Sequence, residues 1–394
     1  MARRAASPGA PRRLLALTCA AVFLDTVFFA AITPLLPQYV DQLGLSKGAA
    51  GGLIAAYPAG TLLMAVPAIW VVGRIGVKRT LLIGLALLGI ASLAFGLAES
   101  APALAATRFA QGVSAALSWA GGLSWLVSQT PAARRGETIG LAIGAALAGA
   151  LIGPALGGAA AESSTTLVFG SVAGITVLLV LVTLLTPAPS EPSRARLGHI
   201  PTVLRERRVR LGLWIVALDG LCLGAIDTLA PLQLDAAGLT GAAIAGTFIA
   251  AVAIETALAP IAGRLSDRWG PLGPVRLALP LAIPALALLG WPTEALALIA
   301  LIVLCSIALG PLWTPGTVLL ADGAEARGVE QVVTFSLSNA TWSIGGVIGA
   351  STSGLLGEVG GDPLPYSLLA ALCAMTVLVC WRGATAHDEA GAAA

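Results

Sequence analysis

The chain has 394 residues, of which 57% are hydrophobic and only 11% are charged, and its formal net charge is +2. A soluble globular protein carries roughly 25% charged residues, so this chain lacks the residues needed to cover a water-facing surface. The composition therefore excludes a large soluble enzyme, a disordered regulator and a nucleic-acid binder, and it predicts a protein that crosses a membrane several times.

Apolar stretches long enough to cross a bilayer recur along the chain. A helix needs about 20 residues to span a hydrocarbon core of roughly 30 Å. By this criterion the sequence predicts twelve transmembrane helices, which we number span 1 to span 12. The predicted bounds are 14–40, 48–72, 80–98, 101–129, 138–160, 164–187, 211–234, 241–262, 277–291, 294–321, 331–356 and 364–381.

Arginine and lysine residues indicate the orientation of these spans. If both termini lie on one side, all but two of the 22 Lys and Arg residues fall on that side. The exceptions are Lys47, which falls on the other side, and Arg108, which lies within span 4. Because cytoplasmic loops collect basic residues, we expect a multi-pass protein of the cell inner (plasma) membrane with both termini cytoplasmic.

The sequence repeats itself with an offset of 194 residues. Asp25 corresponds to Asp219, and Pro37 corresponds to Pro231. Further matches are Asp41 with Asp235, Gly44-Leu45-Ser46 with Gly238-Leu239-Thr240, Arg74 with Arg268, and Gly76 with Gly270. The pattern predicts an all-α membrane protein built from two pseudo-symmetric six-helix bundles in the same orientation. The predicted units are an N-terminal bundle at 1–187, a cytoplasmic linker rich in Pro, Ser and Arg at 188–210, and a C-terminal bundle at 211–394.

Three spans of the first half contain distinctive motifs. Span 1 carries Asp25 in the run LDT and, further on, the run PLLP. Span 4 carries the run RFAQG, which begins at Arg108. Span 5 carries GALIGPALGG, in which glycines four residues apart share one helical face and permit the close approach of another backbone. Its proline, Pro154, removes a helical hydrogen bond and favours a bend.

Related basic loops follow spans 2 and 8. The loop after span 8 reads GRLSDRWG and includes Asp267, Arg268 and Gly270. The corresponding loop after span 2 keeps Arg74 and Gly76 but has a glycine in place of the acid. A carboxylate favours helix N-termini and arginines favour helix C-termini and anionic lipid, so these loops suit charge contacts at the membrane surface. Simple positive-inside topology also explains their basic residues.

Ionisable residues within the spans are candidates for proton coupling. An ionised side chain at the bilayer centre costs about 2.5–3.5 kcal/mol on insertion scales, so such residues face a cavity or a partner. The candidates are Asp25, Arg108, Asp219, Asp227 and Glu255. Asp25 is expected near mid-membrane, where a carboxylate can exchange protons. For Arg108, a role in polarising the cavity and a structural interhelical hydrogen bond are equally supported, and Asp227 is a candidate partner across the halves.

Aromatic and amide side chains complete the predicted pocket. On span 4, Trp119 lies eleven residues after Arg108, about 20° away around the helix, so both point in one direction. An acid among aromatic rings suits a lipophilic organic cation through charge and cation–π attraction. Ordinary helix packing explains any single aromatic equally well. The candidate substrate-binding residues are Asp25, Phe28, Phe29, Tyr57, Gln111, Trp119, Trp313, Asn339 and Trp342.

Cysteine and histidine residues give no sign of a metal or catalytic centre. All five cysteines lie inside apolar runs, and both histidines, His199 and His387, lie in polar connections. Neither residue type shows metal-ligand spacing, and there is no Ser–base constellation or phosphate-binding loop. We therefore expect no metal, no cofactor and no enzymatic activity.

The motifs and the repeat resemble the major facilitator superfamily. The loop GRLSDRWG is similar to the family's G-x-L-a-D-R-x-G signature, and GALIGPALGG is similar to g-x-x-x-G-P-x-x-G-G, which is associated with its drug:proton antiporters. Span 1 looks like the first helix of the twelve-helix antiporters of this type. The resemblance implies a substrate site near the midplane, between two halves that rock to alternate access. It also implies gating and hinge roles for Arg74, Gly76, Asp267, Arg268, Gly270, Gly149, Gly153, Pro154 and Gly157.

The sequence therefore favours a proton-coupled secondary active transporter that exports small lipophilic molecules, cationic ones foremost. The alternative is an uptake symporter of the same fold for a small nutrient such as a sugar or an organic acid. Four carboxylates against one arginine within the spans argue against an anionic substrate. The expected partners are a small-molecule substrate, protons and membrane lipids, with no nucleic acid, and the expected state is a monomer.

Overall fold

The computed structural model describes residues 10–131, 134–187, 204–325, 327 and 331–392. These residues form twelve helical units and no strand, which confirms the predicted all-α fold. The helices are, in chain order, Ala10–Ala31 with Leu36–Leu43, Lys47–Met64 with Pro67–Ile75, Val77–Gly96, Ala101–Gln129, Arg135–Glu162, Thr165–Leu185, Arg207–Ala236, Gly241–Trp269, Leu272–Leu289, Ala295–Leu309 with Trp313–Glu325, Gln331–Gly360, and Pro363–Ala392. Most of the predicted linker, at 188–203, lies outside the described residues, and span 7 already begins at Arg207.

Ten of these units have the apolar composition of a membrane span. Nine described helices are long and apolar enough, and the bent pair of span 2 makes a tenth. Spans 4 and 11 fall short because their small and polar residues lower the mean hydropathy. In span 4, for example, Ser114 donates a hydrogen bond to the Gly84 carbonyl of span 3 at 2.9 Å. Polar groups that find partners on neighbouring helices can therefore lie within a bundle at membrane depth.

Three spans are interrupted near their middle. Span 1 passes through a tight 3-10 turn at Thr33–Leu35, and span 10 does so at Gly310–Leu312. Span 2 bends by 50° at the break before Pro67. Each interruption contains or adjoins a proline, which lacks the backbone N–H that a continuous helix would use. The interruptions allow side chains at these points to enter the space between the two halves.

The internal repeat is visible in the backbone. Four of the five described glycines with positive φ form two pairs that are 194 residues apart, Gly44 with Gly238 and Gly76 with Gly270. The helices that follow the first pair begin with matching caps, because the Ser46 and Thr240 hydroxyls each accept a bond from the amide three residues on. Positive φ favours glycine, so the repeated glycines mark repeated turns.

Glycine-mediated packing repeats as well. A Cβ atom at Gly149 of span 5 would collide with the Phe23 carbonyl of span 1. A Cβ atom at Gly345 of span 11 would collide with the Ala217 carbonyl of span 7, and Ala217 is the repeat counterpart of Phe23. Small residues permit this close approach of two backbones. The glycine motif of span 5 therefore joins span 5 to span 1, and an equivalent contact joins span 11 to span 7.

The two halves meet at one end of the bundle. We call the end with Gly44, Gly238 and Gly361 the opposite face, and the end with Gly76, Gly270 and Arg327 the basic face. At the opposite face Lys47 forms an ion pair with Asp362 at 2.6 Å, and the Gly48 amide donates to Glu358 at 3.1 Å. Nearby, Gly51 of span 2 lies against the Ala350 carbonyl of span 11. Spans 2 and 11 thus close the opposite face with an ion pair and tight backbone packing.

The glycine contact between spans 1 and 5 predicts a position-specific effect on stability. Gly149→Ala should lower the free energy of unfolding by about 1–3 kcal/mol, because its Cβ atom meets the Phe23 carbonyl. Gly144→Ala on the same helix is the matched control, since no heavy atom lies within 4 Å of a Cβ there. Thermal melting of the purified variants in detergent measures the difference. Equal melting temperatures for the two variants would contradict the proposed contact.

The ion pair at the opposite face predicts a modest shift in the conformational equilibrium. Lys47→Ala should increase the population open at that face by up to about fivefold, since a partly exposed ion pair contributes at most about 1 kcal/mol. Spin labels at the exposed positions Gln42 and Val359 report the opening as a longer electron–electron distance. Lys78→Ala is the control, because its ammonium bonds the Leu184 carbonyl within one half. An unchanged distance distribution for Lys47→Ala would show that this pair does not hold the face closed.

Candidate functional site

A cavity of about 680 Å³ lies between the two halves. Spans 1, 2, 4 and 5 line it from the first half, and spans 7, 8, 10 and 11 line it from the second. The lining reaches Gly136, Ala321 and Thr334, which lie near the basic face. The cavity therefore extends toward the basic face, whereas packing between the halves closes the opposite face.

The cavity wall carries only acidic charge. Its lining contains Asp25, Asp219, Asp227 and Glu255 but no lysine, arginine or histidine among the residues described. The ion pairs within the described ranges are Lys47–Asp362, Arg134–Glu137 and Arg327–Glu206, all at the ends of the spans. The four cavity acids therefore form no ion pair with any described lysine or arginine.

Asp25 is held by two donors from neighbouring spans. Its Oδ2 atom accepts a hydrogen bond from the Tyr57 hydroxyl at 3.0 Å and from the Trp119 indole N–H at 3.0 Å. The residue is only 2% exposed, and its Oδ1 atom is buried without a hydrogen-bond partner. One carboxylate oxygen is thus held by two donors from neighbouring spans, and the other accepts no hydrogen bond from the described residues.

Arg108 lies behind this wall and is not among the lining residues. Its guanidinium donates to the Phe28 carbonyl at 2.8 Å, to the Phe29 carbonyl at 3.2 Å and to Gln111 Oε1 at 3.0 Å. It also lies 5.0 Å from the centre of the Tyr57 ring. This is the interhelical hydrogen-bonding arrangement that the sequence left open, and the candidate pairing with Asp227 is not among the ion pairs of the described residues.

The acids of the second half lie on spans 7 and 8. Trp342 of span 11 is within hydrogen-bonding reach of Asp219, and Ser306 of span 10 is within reach of Glu255. The Glu255 side chain packs against the break in span 10, where a Cβ at Gly310 would lie 3.2 Å from its carboxyl carbon. The missing side chain of this glycine therefore leaves the space that Glu255 fills.

Aromatic rings join the two halves across the cavity. Phe29 lies 5.1 Å from the Tyr57 ring and meets Trp342 of the other half edge-on at 5.5 Å. Trp119 stacks on Phe335 of the other half at 5.3 Å, with 20° between the ring planes. Such contacts are attractive beyond the apolar area they bury. The two donors to Asp25 are therefore in contact, directly or through Phe29, with span 11.

The structure brings most of the predicted substrate-binding residues to the cavity. Those that line it are Asp25, Phe29, Tyr57, Trp119, Trp313, Asn339 and Trp342. Phe28 and Gln111 do not line it, contrary to expectation. Phe28 is fully buried against Phe169 at 5.5 Å, and Gln111 donates to Ser92 at 3.2 Å. Successive helical residues point about 100° apart, and Phe28 falls on the side of span 1 that packs against span 6.

The predicted loop and hinge residues occupy three different settings. Gly76 and Gly270 end helices with positive φ, and Arg74 lies over the exposed Trp70 ring at 5.1 Å. Asp267 and Arg268 are exposed and take part in none of the ion pairs of the described chain. In span 5, Gly149, Gly153 and Gly157 face span 1, and Pro154 lines the cavity. These placements leave the gating roles as predictions.

One prominent lining residue, Phe335, escaped the sequence analysis. It lies four residues before Asn339 and seven before Trp342, so the three share one face of span 11. That spacing is the sequence signal from which Phe335 could have been predicted to line the cavity. It was obscured because span 11 has too many Ser, Thr and Gly residues to read as an amphipathic helix.

The contacts of Arg108 predict a structural role that stability measurements can detect. Arg108→Gln should lower the free energy of unfolding by about 2–4 kcal/mol, because it removes charged hydrogen bonds to the Phe28 and Phe29 carbonyls of span 1. Arg74→Gln is the control, since Arg74 is exposed and stacks only on Trp70. Thermal melting compares the two variants. If the Arg108→Gln protein has the same melting temperature as the parent protein, these hydrogen bonds do not stabilise span 1.

Comparison with known proteins places the fold in a family. Residues 18–334 match the family model described as Major Facilitator Superfamily. The chain is 25% identical over 379 residues to YcaD of Shigella flexneri, described as an uncharacterized MFS-type transporter, with 94% of this chain and 96% of that protein covered. It is 22% identical over 440 aligned positions to the MFS-type transporter ppzB of Metarhizium majus, with 91% and 96% covered.

Solved structures show the same architecture. A bacterial homolog of the human lysosomal transporter Spinster, in an inward-facing and occupied conformation, matches with a TM-score of 0.79 and 16% identity over 96% of this chain and 98% of that one. The nucleoside transporter NupG matches with a TM-score of 0.73 and 14% identity over 94% and 98%. At these identities the likeness shows the fold alone.

Proposed function

Because the chain belongs to the Major Facilitator Superfamily and is a transporter rather than an enzyme, we propose that it exports small lipophilic cations in exchange for protons. The observation that carries this proposal is the charge of the cavity. Four carboxylates and several aromatic rings line it, and no described basic residue does. Such a wall attracts cations through charge and through the faces of the rings, and it repels anions.

Asp25 is the proposed point of competition between proton and substrate. Tyr57 and Trp119 hold one carboxylate oxygen, so the unpartnered Oδ1 atom is the one that takes either a proton or the cationic group of a substrate. Both cannot occupy the same oxygen. Protonation therefore displaces the substrate, and loss of the proton permits reloading. An exchange of this kind couples two opposite fluxes without a covalent intermediate.

The proposed direction rests on the open end of the cavity. The basic face collects the loops rich in arginine, which favours a cytoplasmic location for that face. The cavity extends toward this face and is closed at the other, so substrate would load from the cytoplasm in the conformation described here. The glycine motif of span 5 favours export as well. We propose a monomer in the cell inner membrane, with protons, lipids and the exported molecule as its partners.

Proton coupling through Asp25 is tested in proteoliposomes. Ethidium, a permanently charged aromatic cation, serves as the substrate probe, and potassium with valinomycin clamps the membrane potential. With an acidic lumen, an antiporter should accumulate ethidium inside as protons leave. Asp25→Asn should reduce this gradient-driven uptake by about tenfold or more, because a neutral amide cannot exchange a proton for a cation.

Two comparisons complete the test. Asp41→Asn is the matched control, because Asp41 is an exposed acid outside the cavity and its loss should leave the gradient-driven flux unchanged. Accumulation of ethidium only when the lumen is alkaline would indicate symport and overturn the export proposal. Full gradient-driven transport by Asp25→Asn would remove Asp25 from the coupling mechanism.

A further inference from the structure

Negative charge is present on both walls of the cavity. Asp25 belongs to span 1 of the first half, and Asp219, Asp227 and Glu255, which we call the C-half acids, belong to spans 7 and 8 of the second. The repeat places Asp25 and Asp219 at equivalent depths, and Asp227 lies eight residues further along span 7, or about 12 Å. The acids therefore extend across the cavity and along its depth.

None of these four acids forms an ion pair within the part of the chain that the structure describes. Arg108 is a buried cation behind the wall, but its two terminal NH groups donate to span 1 carbonyls and to Gln111, and it takes part in none of the ion pairs of the described residues. Asp25 lines the cavity, and its buried Oδ1 atom has no hydrogen-bond partner among the described residues. Leaving a buried polar atom unpaired is costly, so this oxygen is arranged to meet a ligand or a proton.

The arrangement of the acids does not suit a metal ion. Metal sites need several ligands that converge on one point. No group of three or more His, Cys, Asp or Glu side chains within the described ranges could hold such an ion. The separated carboxylates instead fit a ligand whose positive charges are themselves separated, as in an extended organic ion.

Aromatic rings lie between the two sets of acids. Phe29 meets Trp342 at 5.5 Å, and Trp119 stacks on Phe335 at 5.3 Å, so both pairs cross from one half to the other. Trp119 also donates to Asp25, and Trp342 is within reach of Asp219. An apolar or aromatic spacer between two charged groups would therefore pass along these rings, with each charge near a carboxylate.

We infer that the cavity takes dicationic molecules, binding one positive group at Asp25 and the other at the C-half acids. The inference rests on the proposed function, since it presumes that cations are the substrates. It adds that the two halves bind different ends of one molecule. A substrate that spans the cavity in this way contacts both moving bodies at once, so its binding favours one relative position of the halves.

Two series of permanently charged probes test the inference on the purified full chain. One series is alkyltrimethylammonium, with one charge, and the other is alkane-bis-trimethylammonium, with two. Spacers run from about 4 to 12 methylenes, a range that brackets the 8–10 Å between packed helices. Quenching of tryptophan fluorescence gives each dissociation constant. The bis compounds should bind about tenfold or more tightly than mono compounds of equal length, with an optimum spacer length.

Two variants locate the second charge. In the triple variant Asp219→Asn, Asp227→Asn, Glu255→Gln, the advantage of the bis compounds should disappear while the mono compounds keep their affinity, which also shows that the variant is folded. A control variant carries Asp41→Asn, Glu99→Gln and Glu162→Gln, all exposed acids outside the cavity. It should keep the full advantage of the bis compounds, even though its net charge changes by the same amount.

The outcomes separate the inference from the proposed function. Equal affinities for the two series, with mono binding still lost in Asp25→Asn, overturn the dication inference and leave the exporter proposal standing. A bis advantage that survives the triple variant also overturns the inference. If neither series binds, the assumption that cations are substrates is wrong, and both the inference and the exporter proposal are overturned. A bis advantage with a spacer optimum that the triple variant abolishes supports the inference.

Discussion

The central physical constraint on the cavity between the two halves is the need to balance buried negative charge. A carboxylate far from water requires a proton, a cation or hydrogen-bond donors. At Asp25 the protein supplies donors to one oxygen only, from Tyr57 and Trp119. The rings that provide these donors continue into contacts with the other half, because Trp119 stacks on Phe335. Under the proposed function, a proton or cation at the other oxygen would therefore act on groups that also contribute to the contact between the halves.

Close backbone packing determines which helices move together. Span 5 lies against span 1 through glycines, and span 11 lies against span 7 in the same way. The backbones of these pairs are in direct contact, so we expect each pair to move as one body. Contacts across the halves use different pairs, spans 2 and 11 among them, through Gly51 at the Ala350 carbonyl. Span 11 thus belongs to a rigid pair in its own half and also forms part of the contact that must separate when access changes.

The amino-acid sequence was sufficient to predict the internal repeat and the features that are costly to place in a membrane. Twelve spans and the acids within them follow from hydropathy and from the cost of charge in a membrane, and the repeat is visible in positions such as Asp25 and Asp219. The direction of individual side chains was not accessible, because tertiary packing decides it. Phe28 and Phe29 are adjacent and chemically identical, yet one packs on Phe169 and the other lines the cavity. The partners of Arg108 depend in the same way on where span 1 lies relative to span 4.

The closed opposite face is held by contacts of unequal strength. The pair between Lys47 and Asp362 is partly exposed, with side-chain exposures of 37% and 18%, so it contributes at most about 1 kcal/mol. The backbone packing of Gly51 against the Ala350 carbonyl of span 11 is tighter than this ion pair, and opening the face must separate the two backbones together. Closure that depended on strong ion pairs would trap the transporter in a single state. Because the charged contribution is small, the packing of Gly51 against span 11 supplies most of the preference for the closed face, and a ligand or proton can reverse that preference only if its affinity differs between the states by at least as much.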